Sequence, residues 1–172
     1  TLNPQLYKSA GFGDLCAFAP GVLGQTGMES AEIVHSIVEA VRPALIVAID
    51  ALASRRLARL ATTVQLCDTG IYPGAGVSNR RSELSKETLG VPVISIGVPT
   101  VVDAATLAYD LLGKDADEQA AAALLAGDGK DMFVTLKESD VITKQTARLL
   151  GFAINRAFHG DMSVEEMEEL LS

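Results

Sequence analysis

Three runs set the limits on what this chain can build: the continuously apolar ALIVAI (44–49), TVQLC (63–67), which reads as another buried strand, and the strongly apolar PVISIGV (92–98). A strand with one wet face alternates apolar and polar residues, whereas a run without alternation suits a strand covered on both sides. Helix-like patterns separate the runs. ESAEIVHSIVEAV (29–41) spaces Ile33, Ile37, Val38 and Val41 as one helical face, with Glu29 and Glu32 in the first turn and Pro43 as the stop. ALASRRLARLA (51–61) and VVDAATLAYDLLG (101–113) read as further helices, the second entered through Pro99-Thr100. Strands alternating with helices predict an α/β three-layer sandwich, a mostly parallel sheet covered by helices on both faces.

The flanks add less. DLCAFA (14–19) reads as a short strand ended by Pro20-Gly21, and AAAALLA (120–126) as a short helix. KESDVITKQTARLLGFAINRAF (137–158) is a long helix with Val141, Ile142, Leu149, Leu150, Ala153, Ile154 and Ala157 on one face. MSVEEMEELLS (162–172) opens with a capping box, Ser163 to Glu166. At 172 residues and 48% hydrophobic content, a single domain whose one core buries most of that surface is expected.

Charge narrows the partners. Fourteen Lys and Arg against 22 Asp and Glu give a net charge of -8, which repels phosphate backbones and argues against nucleic acid. No apolar run reaches the ~20 residues that span a bilayer, and no signal peptide opens the chain, so no membrane association and a cytoplasmic location are expected. Cys16 and Cys67 stand alone in apolar runs without CxxC spacing, and read as buried thiols of a reducing compartment.

In parallel α/β sheets, ligands sit beyond the carboxyl ends of the strands. That rule singles out Asp50 and Asp68, each ending an apolar run, and Asp103 after the third, as carboxylates along one edge. Several carboxylates sharing a crevice split their pKa values and permit acid–base work. Each also has an ordinary reading, as a helix N-cap (Asp50) or an Asx-turn residue (Asp68). His35 and His159 lack HxxxH or HExxH spacing, and no GxSxG or phosphate-binding glycine pattern is present, so no metal or other cofactor is called for. The glycines of PGVLGQTG (20–27) and GIYPGAG (70–76) are expected to shape loops around the crevice. Arg55, Arg56, Arg59, Arg80 and Arg81 stand out against the acidic background. Arg55 and the Arg80–Arg81 pair suit forked hydrogen bonds to an acidic ligand; the other reading is pairing with Glu83, Glu87 or a neighbouring subunit.

The strings PGVLGQTGMESAEIV (20–34), IVAIDALASR (46–55), DTGIYPGAGVSNRRSELSKETLGVPVISIGVPTVVDA (68–104) and MFVTLKESD (132–140) closely resemble the germination protease family of spore-forming bacteria. The resemblance implies an atypical aspartic endopeptidase, made as a zymogen, assembled as a homotetramer, and degrading small acid-soluble spore proteins in the spore core at germination. It also implies a phosphorylase/hydrolase-like fold similar to that of hydrogenase-maturation endopeptidases. One of the family's two proposed catalytic aspartates lies in an AIDALA motif, present here at 48–53, which gives the role to Asp50. The other lies in a TPDALGP motif, which these residues do not contain. The chain therefore reads as an N-terminally truncated member, lacking the pro-segment, a first strand and helix, and one carboxylate. The region 114–130 also reads as shorter than in the family. Two alternatives follow: an inactive assembly or interaction module, and a metal-linked peptidase of the maturation type.

Overall fold

The computed structural model describes residues 14–21, 29–73, 82–112, 132–159 and 163–171. The chain divides into two compact units, Pro20–Lys137 and a second made of Thr1–Ala19 with Glu138–Ser172.

The larger unit is built around one long strand. Helix α1 (Ser30–Val41) leads to β1 (Ile46–Ser54), a 3-10 turn at Leu57–Arg59, β2 (Gln65–Cys67), the one-turn α2 (Lys86–Leu89), β3 (Val93–Asp103), α3 (Ala104–Leu112) and β4 (Phe133–Val134). β3 pairs in parallel with β1 along one side, from Ile46↔Val93 to Ser54↔Val102. Along its other side it pairs antiparallel with β2 (Gln65↔Gly97, Cys67↔Ser95) and with β4 (Asp103↔Phe133). The sheet is mixed, which corrects the expectation of a mostly parallel one. A continuous apolar run reports coverage rather than direction, and the three-residue β2 is exposed throughout.

Two further expectations change at β1. The residues after Asp50 do not turn into a helix; Ala51–Ser54 continue the strand, and ALASRRLARLA yields only the 3-10 turn. Alanine and arginine are good helix formers, but tertiary context overrides propensity, and pairing along the eleven-residue β3 outweighs that preference. β3 in turn carries the chain past Pro99 to Asp103, three residues into the expected helix. Proline brings no N–H to the ladder. The register slips there, Leu52 facing Pro99 and Ala53 facing Val101, so that Thr100 is passed over as a bulge. Local bonds use the freed carbonyls: Ala61 N–H donates to Pro99 O at 2.8 Å and Thr135 Oγ1 to Thr100 O at 2.9 Å.

α1 covers one face of the sheet. Its Ala31 and Val34 form a buried cluster with Ile71 and Leu84, against which Val38, Ala48, Leu52 and Leu89 pack. The buried stripe is thus 31, 34 and 38, turned from the expected 33, 37, 38 and 41; Val41 is exposed. Arg42 closes the helix in the left-handed region at φ 51°, its N–H on Val38 O, before Pro43. On the opposite face Ile49, Ile96 and Leu66 form one cross-strand row, Ile96 buried at its centre and Ile49 (52%) and Leu66 (72%) exposed at its ends. DLCAFA (14–19) forms no strand and is exposed, including Cys16, and Cys67 is exposed as well, so neither is a buried thiol.

In the smaller unit α4 (Ser139–Phe158) forms as expected. Ile142, Leu150 and Ile154 of the expected face are half-buried, with Thr146 and Phe152 beside them, whereas Val141, Leu149, Ala153 and Ala157 are exposed. α5 (Val164–Leu171) begins at the capping box: Ser163 N–H donates to Glu166 Oε2 at 2.7 Å, and Glu166 N–H to Ser163 Oγ at 3.2 Å. Arg148 links the two helices through Glu168 at 2.5 Å while lying over the Phe152 ring. The helix expected at 120–126 lies outside the described residues. No described helix is long and apolar enough to cross a membrane.

Candidate functional site

Asp50 stands in the middle of β1, not at its end. Strand neighbours at i±2 share a face, and directly opposed residues on paired strands do too. Asp50 therefore lies on the α1 side, between Ala48 and Leu52, both packed on the α1 core. Across the sheet its row is Asp50, Gly97 and Gln65. One carboxylate oxygen, Oδ1, accepts the N–H of Ala51 at 2.8 Å.

Gly97 is the gap in that row, and Leu52 fills it. A Cβ on Gly97 would sit 2.1 Å from Leu52 Cδ1, so no other residue fits without displacing that side chain. The side chain that separates Asp50 from Gln65 thus belongs to the residue two positions beyond Asp50.

The three carboxylates do not share an edge. Because β2 runs antiparallel, Asp68 follows Cys67 towards the level of Ile94, two strands across from Asp50 and roughly 10 Å further along. Asp103 is six residues beyond Gly97 in the other direction, roughly 20 Å. Equating strand ends required parallel strands throughout. Asp103 caps α3, accepting the Thr106 N–H and hydroxyl at 2.7 Å each. Burial pushes its carboxyl pKa up, but those two bonds outweigh it and hold the group below its usual value. Beside Asp68, the Cys67 thiol lies 2.8 Å from Thr69 Oγ1, and the hydroxyl pulls its pKa down.

Arg55 is exposed in a pinned corner just past β1. Buried Ser54 donates Oγ–H to Arg56 O at 2.6 Å, and Asp110 of α3 accepts the Leu57 N–H at 2.6 Å. Arg80 and Arg81 lie outside the described residues. The two ends of their segment meet in an antiparallel bridge, Ile71 N–H to Leu84 O at 3.0 Å and Leu84 N–H to Ile71 O at 2.8 Å. Next to it, hydrogen bonding between Tyr72 and Glu83 raises the phenol pKa. Ile71 and Leu84 belong to the same cluster as Ala48 and Leu52, so this segment is rooted on Asp50's face. His35 pairs with Glu39 on α1 at 3.5 Å, and among the described residues no three His, Cys, Asp or Glu side chains gather as a metal site. Gln65 and Leu52 escaped the sequence reading because only strand register sets them beside Asp50.

The described geometry is a mixed α/β unit with an aspartate at mid-strand, opposite a glycine that the Leu52 side chain covers. The germination protease family model matches residues 1–115, and the chain belongs to that family. The germination protease of Caldanaerobacter subterraneus subsp. tengcongensis is 43% identical over 193 aligned positions, covering 96% of this chain and 60% of the relative. That of Clostridium perfringens is 43% identical over 182, covering 92% and 56%. That of Geobacillus sp. is 57% identical over 111 residues, covering 64% and 30%. The chain thus spans at most about 60% of the length of these relatives. The first alignment exceeds this chain's 172 residues, so that relative carries residues with no counterpart inside the matched region.

Proposed function

We propose that this chain carries one half of an aspartate-based peptidase centre, with Asp50 as the water-activating carboxylate, acting on small acid-soluble spore proteins during germination in the spore core. The observation that carries the reading is Asp50 in its AIDALA motif, at mid-strand opposite Gly97, within the matched residues 1–115. The reaction needs two carboxylates holding one proton. The ionised group takes a proton from water, the water oxygen bonds to the peptide carbonyl carbon, and the protonated group donates towards the carbonyl oxygen or the leaving amine as the C–N bond breaks. Asp50 supplies one of these roles, and the TPDALGP aspartate of the family, not contained in these 172 residues, supplies the other.

The family's acidic substrates approach an acidic surface, and local positive charge is needed to offset the repulsion. Arg55, at its pinned corner, and Arg80 and Arg81, on the segment rooted beside Ala48 and Leu52, are the residues proposed to grip substrate carboxylates. Homotetramer assembly and zymogen control go with the same reading, and the exposed Ile49 and Leu66 offer surface for self-association.

The deciding experiment is peptide hydrolysis by the intact protein and its Asp50→Asn variant, beside the 172-residue chain alone. A loss of about 100-fold or more in kcat for the variant supports the role, since an amide takes no proton from water. Undiminished turnover removes Asp50 from the site. The chain alone is expected to be inactive, and robust cleavage by it would overturn the two-carboxylate scheme.

A further inference from the structure

Asp50 has a polar counterpart that no motif assigns. Gln65 stands on the same face of the sheet, two strands across, at the same level through Gly97. Strand spacing of about 4.8 Å places the two backbones roughly 10 Å apart. Among the described residues, the position between them in the row is Gly97, covered by the Leu52 side chain. That interval suits one extended peptide backbone above an apolar floor, with a carboxylate on one side and a carboxamide on the other. Gln65 is exposed, and its carboxamide, with two donors and one acceptor, makes no hydrogen bond among the described residues. A peptide group offers one acceptor and one donor, which a single carboxamide can satisfy together.

We infer that Gln65 is a positioning residue, which binds a backbone amide of the extended peptide and holds the neighbouring peptide bond over Asp50. This rests on the assignment of Asp50 as the water-activating group. Its effect runs through binding and orientation, because an amide neither takes nor gives the proton that hydrolysis moves. Contact with backbone rather than side chain makes it indifferent to substrate sequence, which separates Gln65 from the arginines proposed to read acidic residues.

The test uses the intact protein carrying Asp50→Asn, so that binding is read without cleavage. The probe is a fluorescein-labelled acidic peptide from a small acid-soluble spore protein, with a series N-methylated at successive amides. Gln65→Ala is expected to weaken binding about tenfold. One N-methyl position should cost a similar factor with Gln65 present and nothing once it is alanine, a coupling that a merely structural residue does not produce. With Asp50 retained, Gln65→Ala should raise KM more than it lowers kcat. Equal binding with and without Gln65, an identical N-methyl profile in both proteins, or no binding of any probe peptide overturns the inference. Undiminished turnover in Asp50→Asn alone overturns instead the catalytic reading, and leaves the Gln65 coupling to be read from anisotropy.

Discussion

The two faces of the sheet share the same strands and differ in which residues are buried. On one, Ala48, Asp50 and Leu52 meet α1 and the Ile71–Leu84 cluster; on the other, Ile49, Ile96 and Leu66 form an apolar row that is open at both ends. Adjacent residues of β1 thus face opposite ways: Asp50 the side that meets α1, and Ile49 the side where it and Leu66 stay exposed. Sheet faces of this kind part at single-residue resolution, and each can be altered without touching the other.

The largest effect that separates them is catalytic. Asp50→Asn in the intact protein is expected to lose about 10²–10⁴ in kcat, while Ile49→Ser next to it changes kcat by less than about threefold. Steady-state peptide hydrolysis checks both; equal losses would show that β1 responds as a unit. Next comes Gly97→Ala. Its methyl meets Leu52 2.1 Å from Cδ1 and should cost about 1–3 kcal/mol, read by thermal or urea unfolding. Pairing it with Leu52→Ala should return part of that loss; additive losses would mean the contact is not the cause.

How much of this was legible beforehand follows the same division. The family strings, the long α4 and the Ser163–Glu166 capping box are local patterns, and the chain spells them out. Whether Asp50 ends β1 or sits at its middle is decided by how far β3 extends as its partner, which alanines and arginines do not encode. The direction of β2 was hidden for a similar reason: QLC gives no sign of running against its neighbours. Once β2 is reversed, Asp68 moves away from Asp50 and Gln65 takes the place opposite it. The buried stripe of α1 turned for want of the same knowledge, because Ile71 and Leu84 choose which side of that helix they meet.

A smaller effect belongs to neither face. Asp103→Ala removes the cap of α3 and should cost about 1–2 kcal/mol. The depressed pKa fixes its pH dependence. The contribution is full above the unfolded-state pKa of about 4 and fades as pH falls through the lower folded-state value, where both states are protonated. Wild type and variant should therefore converge in stability towards strong acid; a gap unchanged down to pH 2 would break the assignment. The smallest change in stability, within about 0.5 kcal/mol, is expected for Leu66→Ser on the face of Ile49. Its signature is instead in sedimentation, as a shift towards smaller species at a given concentration. An unaltered distribution would mean that this face does not mediate self-association.

The bulge at Thr100 gives β1 and β3 an arithmetic of insertion. A pleated strand counts in twos, so one residue gained or lost between Ile46 and Asp50 would swing the carboxylate to the apolar side, and one between Val93 and Gly97 would put another residue opposite it. Past Leu52 and Pro99 the parity has already been broken once, and the ladder still closes at Ser54 and Val102. Length variation along this pair of strands is therefore expected to collect downstream of the bulge and to be lethal upstream of it, a boundary drawn by counting residues rather than by naming them.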